Sequence, residues 1–196
     1  MKKWSLTLQN REVMAKEFEC IDDRIKEWIL EQNIFFVATA PLSGEGLINC
    51  SPKGMDSFRV LGPKQVAYLD YTGSGIETLA HIKENKRIVI MMCAFKGPPK
   101  IFRFHGHARA HEIGSLKFEQ LSVQFNELTG ARSIVVVNLT RIGDSCGYSV
   151  PLYDFKRDRD GLVKWASKKG TNGIKDYQRC QNLTSLDGLP GMNKTH

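Results

Sequence analysis

Hydrophobic positions recur every three or four residues from about Glu12 to Gln32. There Met14, Phe18, Ile21, Ile25, Trp28 and Ile29 share one face, a spacing that predicts a helix. Asn33 ends it. The next run, IFFVATA (34–40), is rich in β-branched and aromatic residues and reads as a buried strand, closed by the turn-forming PLSGEG. Six further strands are predicted in GLINCS, SFRVL, QVAYLDY, RIVIMMCAF, KIFRFHGHARAH and SIVVVNLTRI. A short helix, IETLAHIKEN, separates the third of these from the fourth and turns Ile76, Leu79 and Ile82 inward. Another, from about Ser115 to Leu128, separates the fifth from the sixth and carries Leu116, Leu121, Phe125 and Leu128. Six or more strands with mostly short connections predict a mainly β fold with flanking helices (α+β). A closed or nearly closed barrel fits this better than a doubly wound parallel sheet.

The pattern changes after Asp144, where the chain becomes punctuated by Gly and Pro. Helices are predicted only at about Leu162–Ser167 and Ile174–Gln181. Two regions follow: a barrel with its N-terminal helix over 1–145, and an extension over 146–196. Tyr148, Leu152, Tyr153, Phe155, Leu186 and Leu189 are expected to anchor the extension on the barrel or on a partner subunit. No internal repeat or low-complexity tract is visible.

Composition narrows the class. A chain of 196 residues, 41% hydrophobic and 25% charged, supports one filled core. No apolar run approaches the ~20 residues that cross a bilayer, and no membrane partner is expected. The start, MKKWSLTLQNREVM, lacks the apolar segment of a signal peptide, so a cytoplasmic location is expected. Five scattered cysteines without a C-x-x-C pair fit reduced thiols. The net charge of +7 is spread over KENKR, KRDRD and KWASKKG, which argues against nucleic acid but suits a small phosphate-bearing ligand.

Two stretches carry candidate chemistry. In YLDYTGSGIETL (68–79) a strand ends, glycines turn the chain and a helix begins. Ser74 and Glu77 have capping-box spacing, and such a helix start suits a phosphate; a plain capped helix is the competing reading. In INCSPKGMD (48–56), Pro52 is expected to stop the strand or make it bulge. Lys53 would then emerge at the strand end beside Gly54, either towards a flat polar ligand or as a surface lysine. His105, His107, Arg109 and His111 alternate along one strand face. The stripe reads as solvent-facing or as an anion-attracting wall, with a metal at His105 and His107 as an alternative. Cys146 reads as a plain thiol rather than a nucleophile, and Trp4, Trp28 and Trp165 as core or covering aromatics.

In order, FFVATA, SPKG, YLDYTGSG-x-ET, NKRIVIM and PPKIFRFHGHARAH resemble the FMN-binding split-barrel family related to pyridoxamine 5′-phosphate oxidase. SCGYSVP and NLTSLDGLPG resemble one branch of it. The resemblance implies a Greek-key split β-barrel, a homodimer, and FMN in clefts between subunits. It also implies that Asn49, Cys50, Ser51 and Lys53 neighbour the flavin ring. Tyr71, Ser74, Gly75, Glu77 and Thr78 would lie near the phosphate, and Arg103 would meet the phosphate or a flavin carbonyl. The chain departs from true oxidases where Gly75-Ile76 replaces a basic Arg-Lys pair, so vitamin B6 oxidation is not expected. The implied activity is electron transfer between a reduced nucleotide, or another donor, and a small organic acceptor. The alternatives are a non-catalytic FMN or haem binder for storage or sensing, and an anion-binding dimer without cofactor; a deazaflavin could replace FMN.

Overall fold

The computed structural model describes residues 16–193. Met14 and Trp4, assigned above to a helix face and to the covering aromatics, lie outside the described residues. Eight strands form one antiparallel sheet: β1 (Glu17–Phe18), β2 (Phe35–Thr39), β3 (Asn49–Lys53), β4 (Phe58–Gly62), β5 (Gln65–Tyr71), β6 (Arg87–Cys93), β7 (Ile101–Glu112) and β8 (Ala131–Ser145). Their spatial order is β3-β2-β6-β7-β8-β5-β4, with β1 added on β8. Four helices accompany them: α1 (Asp23–Leu30), α2 (Glu77–Asn85), α3 (Leu116–Ser122) and α4 (Gly161–Gln181).

The sheet curls until its two ends face each other. Phe35 of β2 packs its ring 5.1 Å from Phe58 of β4 and 5.6 Å from Tyr68 of β5. Lys53, at the end of β3, reaches Asp70 of β5 at 3.2 Å. Inward residues such as Val37, Ile90, Phe104, Val135 and Val137 alternate with outward ones and fill the interior. A smaller cluster of Leu69, Phe118, Leu121, Phe125 and Ile134 seats α3 on the other face of β5 and β8. Gly106 marks a β7–β8 register shift. A Cβ there would run into the Asn138 carbonyl and the Val137 side chain. Gly106→Ala is therefore expected to lose about 1–3 kcal/mol of unfolding free energy in urea titrations.

Several local expectations are corrected. The first helix begins at Asp23, because Asp22 caps it by accepting from Ile25 N at 2.8 Å. Phe18 is instead on β1, paired with Ile142, and packs its ring at a tilt against Phe102 at 5.5 Å. The helix after Ser115 stops at Ser122, with Leu116 in solvent and Phe118 buried. Pro52 neither stops nor bulges β3. It pairs with Phe36 in an unbroken register, which proline tolerates because β3 is an edge strand.

The two tail helices are present as α4, broken at Gly170, where φ is +66°. The extension anchors through Gln178, Asn182 and Met192, all buried. Tyr148, Leu152, Phe155 and Leu186 are exposed, while Tyr153, also largely exposed, packs its ring 5.6 Å from Phe95 and donates its N–H to Phe95 O at 2.9 Å. Among the described residues no helix is long and apolar enough to cross a membrane.

Candidate functional site

Where the barrel ends meet, the two stretches singled out in the sequence come into contact. Asn49, Ser51 and Lys53 point from β3 towards the interior side, as their pairing with Thr39, Val37 and Phe35 requires. Asn49 Nδ2 donates to Thr78 Oγ1 at 2.8 Å, which ties β3 to the first turn of α2, and to Thr39 Oγ1 at 3.2 Å. Ser51 Oγ donates to Asn49 Oδ1 at 3.0 Å. Ser74 and Gly75 lie exposed in the turn before the helix. The N–H groups opening α2 have no preceding helical carbonyl to bond and carry the positive end of its dipole.

The capping box does not form. The helix is entered through Ile76 with no side-chain cap, and Glu77 Oε1 instead accepts from Leu186 N at 3.4 Å. The remaining expected members scatter. Cys50 is on the opposite face of β3 and exposed. The Tyr71 ring packs against the smaller core cluster, and its hydroxyl donates to Glu127 O at 2.9 Å. Burial, helped by Glu127 and Asp56, pushes that phenol up to about 12. Arg103 lies on β7, three strands from β3, and donates to Ser145 Oγ at 3.0 Å.

The sequence reading missed the charged floor of the site. Asp70, at 0% exposure, accepts from Arg132 Nε at 2.6 Å and from Lys53 Nζ at 3.2 Å. Burial alone would raise its carboxyl, but the Arg132 and Lys53 charges outweigh it and hold the group below its ordinary value. Arg132 also donates to Gly75 O at 2.7 Å and Asn182 Oδ1 at 3.2 Å. Asn182 Nδ2 in turn donates to Gly73 O at 2.9 Å. One buried ion pair thus joins the β3 end, the glycine turn and the extension. The hairpin at 183–191, closed by a Thr184–Pro190 bridge, lies over the same region; Asp187 accepts from Leu47 N at 3.1 Å. A carboxylate inside the otherwise apolar QVAYLDY was the one sequence signal for this floor.

His105 lines a hollow of about 260 Å³ together with Thr39, Ile48 and Arg87. His105 and His107 flank the register shift on β7, and among the described residues no group of three or more His, Cys, Asp and Glu could hold a metal. Burial first, then Arg141 and Arg103, lowers the His105 pKa. A cavity of about 580 Å³ between β1, α1 and the end of β8 has Phe18, Trp28 and Phe102 in its lining and shares no described residue with the cluster.

Asn49, Ser51, the α2 start and the turn offer amide, hydroxyl and N–H groups within one short span. This is a donor set suited to a planar heterocycle with a phosphorylated tail, and Lys53 supplies a partly exposed positive charge. Comparison with known proteins agrees with the architecture. The family model for pyridoxamine 5′-phosphate oxidase matches residues 21–146. The pyridoxamine 5′-phosphate oxidase family protein ustO of Aspergillus flavus is 36% identical over 195 residues, covering 90% of this chain and 77% of that protein. A solved structure from Lactobacillus delbrueckii, provisionally named a pyridoxamine 5′-phosphate oxidase, has a TM-score of 0.51 at 20% identity, over 65% of this chain and 98% of that one. The H111A variant of HupZ from Group A Streptococcus gives a TM-score of 0.50 at 23% identity, over 63% of this chain and 98% of that one. The fold is a split barrel, and the chain belongs to the pyridoxamine 5′-phosphate oxidase family.

Proposed function

We propose that this protein seats FMN between the β3 edge and the start of α2, and acts as an oxidoreductase between a reduced nucleotide, or another donor, and a small organic acceptor. The observation that carries the reading is the Asn49–Thr78 hydrogen bond of 2.8 Å, which brings the ring-edge stretch and the phosphate stretch within reach of one nucleotide. When bound, the flavin supplies the redox chemistry; the chain supplies binding, orientation and electrostatics. Asn49 and Ser51 hydrogen-bond the ring edge. Lys53, held by Asp70, would place positive charge beside the ring, an electrostatic role. Ser74, Gly75, Thr78 and the first-turn N–H groups hold the phosphate, while Glu77 holds the hairpin against the turn.

The phosphate grip within one chain is made of neutral groups. Arg132 is committed to Asp70, and Lys83 to Glu112, Gly191 O and Asn193. A second copy of the chain completes the site in this reading. The exposed Tyr148, Leu152, Tyr153 and Phe155 form the surface through which a homodimer closes. The protein works in the cytoplasm, where its free thiols stay reduced.

Purified protein is expected to be yellow, with the two-banded absorption of oxidised flavin. Replacing Ser74 and Thr78 together by alanine should weaken FMN retention about tenfold in fluorescence titrations; unchanged affinity would remove the helix start from the site. A second reading, a binder without turnover, is favoured by one observation: the described side chains hydrogen-bonded to Asn49, those of Thr39, Thr78 and Ser51, are all neutral hydroxyls. Steady NADH or NADPH consumption with a quinone acceptor selects the enzyme, and its absence in flavin-loaded protein selects the binder.

A further inference from the structure

Behind Asn49 the hydrogen-bond chain continues into the core. Thr39 Oγ1 lies 3.0 Å from Nδ1 of His81, a fully buried residue whose Nε2 has no hydrogen-bond partner among the described residues. Asp187 Oδ2, on the C-terminal hairpin, lies 3.7 Å from that Nε2. The same carboxylate is held in place by Leu47 N–H.

With the ring neutral, two proton arrangements satisfy the chain. In the first, Asn49 Nδ2 donates to both threonines and Oδ1 accepts from Ser51. The Thr39 hydroxyl then donates to His81 Nδ1, and the ring proton sits on Nε2. In the second, the Asn49 amide is reversed. Its Oδ1 accepts from both threonines, Nδ2 donates to Ser51, Thr39 accepts from Nδ1–H, and Nε2 is a bare lone pair. That second arrangement sets two acceptors against each other in a buried site and leaves one unpaired, a costly state. The first aims the Nε2–H dipole at the carboxylate.

We propose that Asp187, acting through His81 and Thr39, fixes the polarity of the Asn49 amide, so that the cleft is offered the Oδ1 acceptor rather than an N–H donor. What that acceptor receives rests on the flavin reading: the imide N–H of an isoalloxazine ring is a donor of the matching kind. Asp187, His81 and Thr39 are positioning residues. The C-terminal hairpin thereby sets the hydrogen-bonding preference of a site built from distant parts of the chain, and disfavours heterocycles that present an acceptor at that point.

The test is nitrogen–proton correlation NMR of the histidine rings in the full-length, ligand-free protein, with His81 assigned by its loss in His81→Gln. The parent is expected to hold the Nε2–H tautomer, and Asp187→Ala to populate the Nδ1–H form. Asp187→Asn keeps the side-chain shape without the charge; it is expected to mix the two tautomers and serves where the alanine variant unfolds. An Nδ1–H ring in the parent, or an unchanged tautomer in both variants, overturns the proposal. In FMN titrations, Asp187→Ala and Thr39→Val are each expected to bind about tenfold more weakly, and the double variant no worse than either. Losses that multiply to about a hundredfold contradict a single chain of influence. Failure of the parent to bind FMN defeats the flavin reading alone, because the tautomer still decides the role of Asp187.

Discussion

Asp70→Asn is expected to lower the unfolding free energy by about 3–5 kcal/mol, the usual penalty for removing one partner of a buried charge pair. Asp70 is fully buried and Arg132 is 4% exposed, so the guanidinium left behind cannot recover its hydration. Lys53 and the β3 end would be released at the same time. The pH dependence has a fixed sign. A carboxyl held below its ordinary value of 3.8 stabilises the fold fully above that pH, and the contribution fades as pH falls through the lower folded value. The gap between parent and variant should therefore be widest near neutrality and narrow in acid. Urea titrations at several pH values check it; a variant within about 1 kcal/mol of the parent at neutral pH would show that the pair contributes no more than an ordinary surface contact.

Asn49→Leu should reduce FMN affinity about thirtyfold, corresponding to about 2 kcal/mol. Leucine is close in size, but it takes a partner from each of Thr39, Thr78 and Ser51 and removes the link between β3 and α2. The stability loss should be smaller than that of Asp70→Asn, since Asn49 is only partly buried. A large fall in affinity with a modest fall in stability identifies a binding role. Equal losses in both would mark Asn49 as a structural strut.

The barrel was legible because its strands alternate or run apolar for five to eight residues, and tertiary packing follows that periodicity. Helical spacing through Phe18 and Ile21 was misleading because it continues across Asp22, whose cap starts the helix later. The capping box failed because the helix starts later than the motif places it: Ile76 is the N-cap and Glu77 the first helical residue, so Ser74 has no helix to cap, and the Glu77 carboxylate accepts from Leu186 N, 109 positions away. Lys53, Ser74 and Gly75 stood out in short turn-flanked motifs, whereas Asn49, Ser51 and Thr78 were expected only through the family resemblance. Arg132, His81, Asn182 and Asp187 carry no such signal, since only the closed barrel and the returning tail bring them to the site. Asn182 and Gly73, also 109 positions apart, share no local pattern.

Titration of FMN into flavin-free protein, followed by quenching of flavin fluorescence, examines the shared cleft most directly. Saturable binding of one FMN per chain, weakened in Asn49→Leu and in the Ser74/Thr78 double alanine variant, is the predicted outcome. Absence of saturable binding, or equal affinity in parent and both variants, would contradict it.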